Sequence, residues 1–328
     1  MKNSRLHFAL IATVCATAAA CQPALAQGGY PTKPVTIVVA YPAGGDADAL
    51  ARLIADKLSA RVGQPVLVDN RPGASGIIGT AHVAKAAPDG YTLLLAPSTF
   101  SIAQFVVTTS PGTRYDVMNG FTPIIQTGSQ SLALIAGPGT TAKTVPDIIA
   151  KARLSGGLGY ATPGSGSPMH IAGELFNKAA GIKLNHVPYK GVAPAINDVL
   201  GGHVPITFIT LGPVLPYLST GKLVPVALAD SERSPLAPNV PTLRELGYKD
   251  TEVKAWTGLF GPRGLPRPVV DVLNMQVNAI LKDPDTVAKL AAIGMLPAGG
   301  KPEQLEKINA ADFSRYGKLI QELNIRAE

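Results

Sequence analysis

Short runs of Val, Ile and Leu alternate along this chain with stretches in which apolar residues recur every three or four positions. The runs have the length of buried strands, and the longer stretches have the period of amphipathic helices. This alternation is typical of parallel sheets covered by helices, which define the α/β class. The predicted strands are 35–40, 66–68, 91–96, 132–136, 159–161, 204–209 and 224–229. We therefore predict an α/β fold in which the segment 123–127 crosses into a second lobe.

The predicted helices lie between these strands and after them. Helical periodicity marks 48–61 and 75–87 in the first lobe and 145–153, 167–180 and 193–200 in the second. After the segment 256–260, a proline near the first turn opens each of the terminal helices at 268–282, 284–292 and 302–323. A chain of 328 residues is long enough for two such lobes.

The first 26 residues have the pattern of an export signal. Lys2 and Arg5 precede an apolar stretch at 8–20, which is shorter than the ~18 residues that span a bilayer. A small-x-small site then ends at Ala26, after which we expect cleavage and release into the periplasm. Lipidation at Cys21 is the less favoured alternative, because the Leu usually found three residues before a lipidated cysteine is missing.

Composition narrows the classes of site and partner. Both cysteines, Cys15 and Cys21, lie in the predicted signal, so the mature chain has no disulfide, no cysteine nucleophile and no thiolate metal site. Hydrophobic residues make up 46% and charged residues 16%, which excludes disorder driven by charge. The formal charge of +7 is scattered and aromatic residues make up only 5%, so nucleic acid is a poor candidate partner. A small acidic ligand fits better.

Two glycine-rich loops connect a predicted strand to a predicted helix, one in each lobe. They are Tyr41–Asp48 and Thr162–Pro168. In open α/β sheets ligands bind beyond the carboxyl ends of strands, and a helix N-terminus attracts carboxylate or phosphate. A helix end contributes about 0.3–1 kcal/mol, whereas micromolar binding needs about 8 kcal/mol. Direct hydrogen bonds from backbone N–H groups, Ser165, Ser167 and His170 would have to supply the rest. The alternative is that both loops only make turns.

Signatures of catalysis are sparse. The sequence has no G-x-S-x-G, no P-loop and no G-x-G-x-x-G after a strand, and its histidines do not pair at metal-ligand spacing. We therefore expect no catalytic residue, no metal and no cofactor. A serine hydrolase that uses Ser165 or Ser167 with His170 as base is the alternative. Tyr189 and Lys190 precede a helix and either reach the cleft or are solvated.

Seven ordered motifs resemble those of the Bug substrate-binding proteins of tripartite tricarboxylate transporter systems, over nearly the whole mature chain. They are Tyr30–Pro34; Gly44 and Gly45 with Asp48, Ala51 and Arg52; Gly63–Val66 with Asn70–Ala74; Ala87–Leu93; Gly164–Ser167 with His170; His186–Gly191; and Pro241 and Thr242 with Glu245 and Gly247. The resemblance implies a type II periplasmic-binding-protein fold, whose two α/β lobes close on a small carboxylate, partly through ordered water.

With this resemblance, we expect lobe 1 to comprise 27–127 and 252–328 and lobe 2 to comprise 128–251. The expected protein is a monomeric receptor that delivers a carboxylate to the membrane subunits of a transporter. An adaptor that reports ligand occupancy to a membrane kinase is a further alternative. The predicted ligand-binding residues are Tyr41, Ala43, Gly44, Gly45, Asp48, Ser98, Thr162, Ser165, Gly166, Ser167, His170, Tyr189, Lys190 and Gly191.

Three departures from the family pattern bear on the ligand. Ala43 replaces the usual Pro before the glycine pair, and Asp46 adds an acid to the first loop. The acid that often follows the second-lobe strand is replaced near Ile209. Asp46 would either repel a second carboxylate or pair with an amine, whereas the lost acid argues against an amino acid that relies on it. We therefore favour an organic mono- or dicarboxylate, aromatic or aliphatic.

Overall fold

A computed structural model of the chain describes residues 29–107, 111–154, 157–323 and 325. The predicted signal, the cleavage site after Ala26 and the alternative lipidation site Cys21 lie outside the described residues. Within the described ranges, no helix is both long and apolar enough to cross a bilayer.

The strands, in chain order, are β1 (Val35–Val39), β2 (Val66–Asn70), β3 (Thr92–Pro97), β4 (Phe121–Gln130), β5 (Leu132–Ala136), β6 (Leu158–Thr162), β7 (Leu184–Pro188), β8 (Ile206–Thr210), β9 (Val224–Leu228), β10 (Ala255–Pro262) and β11 (Met295–Pro297). The α-helices are α1 (Asp46–Val62), α2 (Ile77–Ala84), α3 (Ala103–Val106), α4 (Val145–Leu154), α5 (Pro168–Ala180), α6 (Val192–Leu200), α7 (Leu215–Ser219), α8 (Arg267–Leu281), α9 (Pro284–Ala292) and α10 (Pro302–Glu322).

These elements build two sheets, each with helices packed against it. The six-stranded sheet has the order β11-β4-β10-β3-β1-β2, and the five-stranded sheet has the order β7-β6-β8-β5-β9. The predicted α/β fold with two lobes is thus confirmed. β4 stays in the first sheet as far as Gln130, beyond the crossing predicted at 123–127. The bounds of the two lobes stay a prediction.

The prediction of parallel strands is correct for only part of each sheet. β1 is parallel to β2 and β3, and β6 is parallel to β7 and β8. β10 is antiparallel to β3 and β4, and β5 is antiparallel to β8 and β9. The connections between the sheets explain the antiparallel pairs. β5 is the first strand after the chain crosses to the second sheet, and β10 is the first strand after it returns. Each enters its new sheet from the side of the other lobe and runs opposite to its neighbours.

Apolar periodicity places the core. On α1, Leu50, Ile54 and Leu58 are buried against the first sheet. The last helix, α10, belongs to both lobes: Leu305 packs with residues of the first sheet, whereas Tyr316 and Ile320 join the core of the second. This helix therefore packs against both sheets.

The sequence missed a tight turn before α2. The predicted helix 75–87 begins only at Ile77, and a 3₁₀ turn over Ala74–Gly76 precedes it. Ala74 and Ser75 have φ of 48° and 53°, in the left-handed region that is uncommon outside glycine. Such backbone strain concentrates near binding sites, and this turn borders the cleft described next.

Candidate binding cleft

A cleft of about 620 Å³ separates the two lobes. It is lined by the loops that follow β1, β3, β6 and β8, by the start of α6 and by the segments where the chain crosses between the sheets. Most of these loops lie at the carboxyl ends of strands, where ligands bind in open α/β sheets. The two glycine-rich loops singled out in the sequence therefore face one cleft.

The first of these loops is held from within its own helix. Gly44 has φ of +84°, and its N–H donates to Asp48 Oδ2 at 2.9 Å. Arg52 Nε donates to the same oxygen at 3.0 Å, and Asn70 Nδ2 donates to Oδ1 at 2.9 Å. Burial by itself would raise the pKa of Asp48, but these hydrogen bonds together lower it. Asp48 is therefore a buried anion that shapes the loop.

A tyrosine connects this loop to the strained turn. Tyr41 Oη donates to the carbonyl oxygen of Ser75 at 3.1 Å and makes a short hydrogen bond with Thr99 Oγ1. Burial raises the pKa of Tyr41 to about 12, so the phenol stays protonated. Ser98, next to Thr99 at the end of β3, is buried and also lines the cleft.

In the second glycine-rich loop, too, a glycine N–H donates to a side chain of the helix that follows, but that side chain is a histidine. Gly166 has φ of +72°, and its N–H donates to His170 Nδ1 at 3.1 Å. Ser167 caps α5, because its Oγ accepts from the backbone N–H of His170 at 3.2 Å. Pro168 at the first helical position completes the predicted helix start.

His170 stacks on a second buried imidazole. Its ring lies 3.7 Å from that of His186, centroid to centroid, with 13° between the planes. His186 Nε2 is 2.6 Å from Thr162 Oγ1. Burial, followed by repulsion from His186, lowers the pKa of His170 to about 3, and burial lowers that of His186 to about 4. Both rings are neutral near pH 7, so neither supplies a cation for an anionic ligand.

The start of α6 forms another part of the cleft wall. Gly191 N donates to the carbonyl oxygen of Pro163 at 3.0 Å, which fastens this helix to the second loop. The N–H groups of Val192 and Ala193 have no acceptor within the helix, and both residues line the cleft. Three helix N-termini, those of α1, α5 and α6, thus border the cleft.

The predicted site residues fall into two groups. Those that line the cleft are Tyr41, Ala43, Gly44, Gly45, Ser98, Ser165, Gly166, Ser167 and Gly191. The others, which do not line it, are Asp48, Thr162, His170, Tyr189 and Lys190. Asp48, Thr162 and His170 are buried behind the loops in the hydrogen bonds given above. Tyr189 Oη instead bonds Asp198 on α6, and Lys190 is exposed to solvent. Which of the lining residues touch a ligand stays a prediction.

Several other residues that line the cleft are outside the predicted set of ligand-binding residues. Gln130 Nε2 donates to Asp46 Oδ2 at 2.9 Å, and Asp46 itself faces the cleft at the first position of α1. Thr210, at the end of β8, is buried, and its Oγ1 has no hydrogen-bond partner among the described residues. Gln130 and Thr210 lie next to the crossing between the lobes, which only the sheet order reveals. Trp256 also lines the cleft, and its Nε1 donates to Asp312 Oδ2 at 2.6 Å.

The geometry gives no serine–histidine relay. His170 Nδ1 accepts from the N–H of Gly166, and Ser167 Oγ accepts from the backbone N–H of His170. Neither serine hydroxyl of this loop is hydrogen-bonded to the imidazole, as a nucleophile and its base would be. In the described part of the chain, no group of three or more His, Asp or Glu side chains is placed to hold a metal ion.

A family model described as "Tripartite tricarboxylate transporter family receptor" matches residues 50–325. The chain belongs to this receptor family. BugT of Bordetella pertussis is 34% identical over 323 residues, which cover 98% of both chains. Two similar structures come from Rhodopseudomonas palustris. Rpa4515 with adipate is 34% identical, with a TM-score of 0.82, and the match covers 91% of this chain and 99% of that one. MatC with bound malate is 30% identical, with a TM-score of 0.74, covering 89% and 100%.

The structure of the periplasmic binding protein BugD is also similar, with 31% identity and a TM-score of 0.78 over 91% of this chain and 100% of that one. The resemblance to Bug proteins inferred from the sequence motifs is confirmed. As a tripartite tricarboxylate transporter receptor, the chain has the two-lobed fold of periplasmic binding proteins.

Proposed function

We propose that this chain is a periplasmic solute receptor that binds a small organic carboxylate between its lobes and delivers it to the membrane subunits of a tripartite tricarboxylate transporter. The observation that carries the proposal is the cleft bordered by the N-termini of α1, α5 and α6. Helix N-termini present N–H donors and partial positive charge to an anion. Adipate in Rpa4515 and malate in MatC are carboxylates of the same class.

The cleft binds an anion with neutral donors. No Lys, Arg or His in the described ranges lines it, so ion pairing with a basic side chain is not the source of affinity. Backbone N–H groups and the hydroxyls of Ser165 and Ser167 supply hydrogen bonds, and the apolar walls formed by Val106, Met169 and Trp256 exclude water. Each hydrogen bond to a charged acceptor contributes about 1.5–3 kcal/mol, so several of them supply a large share of the ~8 kcal/mol that micromolar binding needs.

The proposal also covers the export of the protein, its oligomeric state and the fate of the bound ligand. We expect cleavage after Ala26, release into the periplasm as a monomer, and binding without chemical conversion of the ligand. The imidazole of His170 makes no hydrogen bond with the hydroxyl of Ser165 or Ser167, which supports a receptor over a hydrolase.

Thermal unfolding of the mature protein against a panel of mono-, di- and tricarboxylates tests the proposal. A ligand that binds only the folded state at 100 times its dissociation constant adds about 2.7 kcal/mol to stability, which raises the melting temperature. The ligand recovered after incubation should be unchanged by NMR. The proposal fails if no carboxylate shifts the melting curve, or if a panel member is consumed.

A further inference from the structure

The two lobes present helix N-termini of unequal charge to the cleft. The first turn of α1 contains Asp46 and Asp48, whereas the first turns of α5 and α6 contain no acidic residue. A carboxylate at a helix N-terminus offsets the partial positive charge there. The second lobe therefore offers the more favourable site for the carboxylate of a ligand, and the first lobe faces its other end.

Asp46 is the acidic side chain of the first lobe that faces the end of the ligand opposite its carboxylate. Asp48 is buried and occupied by Gly44, Arg52 and Asn70, whereas Asp46 lines the cleft. Gln130 Nε2 donates to its Oδ2, and no described residue donates to its Oδ1. Burial raises the pKa of Asp46 from its ordinary value, and the hydrogen bond from Gln130 opposes this shift.

A second polar group near the crossing between the lobes also lacks a partner. Thr210 is 2% exposed, lines the cleft, and its Oγ1 has no hydrogen bond to any described residue. Thr210 pairs with Leu132 in the second sheet, and Leu132 follows Gln130 by two residues in the sequence. A buried hydroxyl without a partner is unfavourable, and a polar ligand atom would satisfy it.

The charges of the cleft decide which polar group fits there. Among the cleft-lining residues that the structure describes there is an acid, Asp46, and no Lys, Arg or His. A second carboxylate placed near Asp46 would bring two like charges together with no cation between them. A hydroxyl or an ammonium group would instead donate to Oδ1 of Asp46, and a hydroxyl would also bond Thr210.

We propose that Asp46, with Gln130 and Thr210, makes this receptor selective for carboxylates whose far end is a hydrogen-bond donor, and that it discriminates against dicarboxylates. The ligand lies with its carboxylate toward α5 and α6 and its donor toward α1. This inference rests on the proposed function, because it presumes a carboxylate in the same cleft, and it names the ligand class.

Four compounds that share one carboxylate and differ at the far end test the proposal: hexanoate, 6-hydroxyhexanoate, 6-aminohexanoate and adipate, with the four- and five-carbon series beside them. Isothermal titration at pH 7 should show that the hydroxy or amino acid of at least one length binds about tenfold or more tighter than the matching dicarboxylate. Asp46→Asn should strengthen dicarboxylate binding by about tenfold or more and weaken that of the amino acid, because it removes the like charge.

Asp56→Asn is the matched control, because Asp56 is an exposed acid on the same helix, outside the cleft. It changes the net charge equally and should leave all affinities within about twofold. The proposal is overturned if the wild-type protein binds a dicarboxylate as tightly as the matching donor, or if both variants shift the affinities alike. If no compound in the series or the carboxylate panel binds at all, the proposed function itself fails.

Discussion

The two loops that face each other across the cleft are built on one plan with different chemistry. In each, a glycine with positive φ donates its N–H to the side chain four residues later, at the third position of the following helix. In the first lobe that side chain is the carboxylate of Asp48, and in the second it is the imidazole of His170. Both loops thus use a buried side chain that accepts a hydrogen bond from the glycine N–H. Whether that side chain is a carboxylate or an imidazole determines the charge behind the loop and how the loop responds to pH.

The surroundings of the two glycines also differ. A Cβ added at Gly44 would meet nothing within 4 Å, whereas one added at Gly166 would lie 2.5 Å from a methyl group of Val106 on α3. Val106 lies before the chain crosses to the second sheet and packs in the same hydrophobic cluster as Leu132 and Ile171, so the second loop contacts a segment outside its own helix. The first loop is thus fixed by its own helix, and the second also by contact with Val106 on α3.

Removing the acceptor of the first loop should have the largest effect. Asp48→Ala leaves the N–H of Gly44 and the side chains of Arg52 and Asn70 without their acceptor. Since hydrogen bonds to a charged group contribute about 1.5–3 kcal/mol each, and Arg52 is partly solvated, we expect a loss of about 3 kcal/mol in the free energy of unfolding. Urea unfolding measures this loss.

Two variants sharpen this measurement. Asp48→Asn keeps an acceptor and should lose less than Asp48→Ala, whereas Asp56→Ala, on the exposed face of α1, should stay within about 0.5 kcal/mol of wild type. Equal stability of Asp48→Ala and Asp56→Ala would contradict the role assigned to the buried carboxylate.

Adding a methyl group to each glycine tests the difference between the loops. Gly44→Ala and Gly166→Ala both place alanine at positive φ, which costs about 1 kcal/mol. Only Gly166→Ala also drives a Cβ into Val106, and overpacking of this kind adds about 1–3 kcal/mol. The dissociation constant for a carboxylate that binds should therefore rise about tenfold more in Gly166→Ala than in Gly44→Ala.

Val106→Ala combined with Gly166→Ala is the control, because it removes the methyl groups that the new Cβ would meet. We expect this pair to recover part of the lost affinity. An equal loss in the two single glycine variants, with no recovery in the pair, would show that the contact between Gly166 and Val106 is unimportant for binding.

The sequence was sufficient to predict the two lobes and to find both loops, because apolar periodicity and glycine-rich turns are local signals. It placed Asp48 and His170 at the ligand, where the structure has them behind the loops. The shared Gly-x-x-x-acceptor spacing, from Gly44 to Asp48 and from Gly166 to His170, is a signal that would have indicated this. Gln130 and Thr210 had no such signal, since they meet the cleft only through the pairing of strands far apart in sequence.

The choice of a histidine in the second loop predicts a response to pH. His170 and His186 have pKa values of about 3 and 4 in the folded protein, below the ~6.5 of an unfolded histidine. Between pH ~6.5 and pH ~4 the unfolded chain binds more protons than the folded protein. The contribution of the two histidines to the free energy of unfolding is therefore fully present above pH ~6.5 and decreases as the pH is lowered toward 4. Each histidine can contribute up to about 1.4 kcal/mol per pH unit in this window.

Two carboxyl groups affect stability in the opposite direction as the pH falls, so the test compares the wild type with a histidine variant. Burial raises the pKa of Asp230 and that of Asp312 to about 6, and these carboxyls favour the folded state as the pH falls below 6. Urea unfolding of the wild type and of His186→Asn at pH 7, 6 and 5 isolates the histidine, because both proteins retain the two acids. The wild type should lose about 1 kcal/mol more than the variant for each unit below pH 6.5. Parallel curves for the two proteins would mean that His186 is protonated as readily in the fold as in the unfolded chain, and the neutral stacked pair behind the second loop would then be wrong.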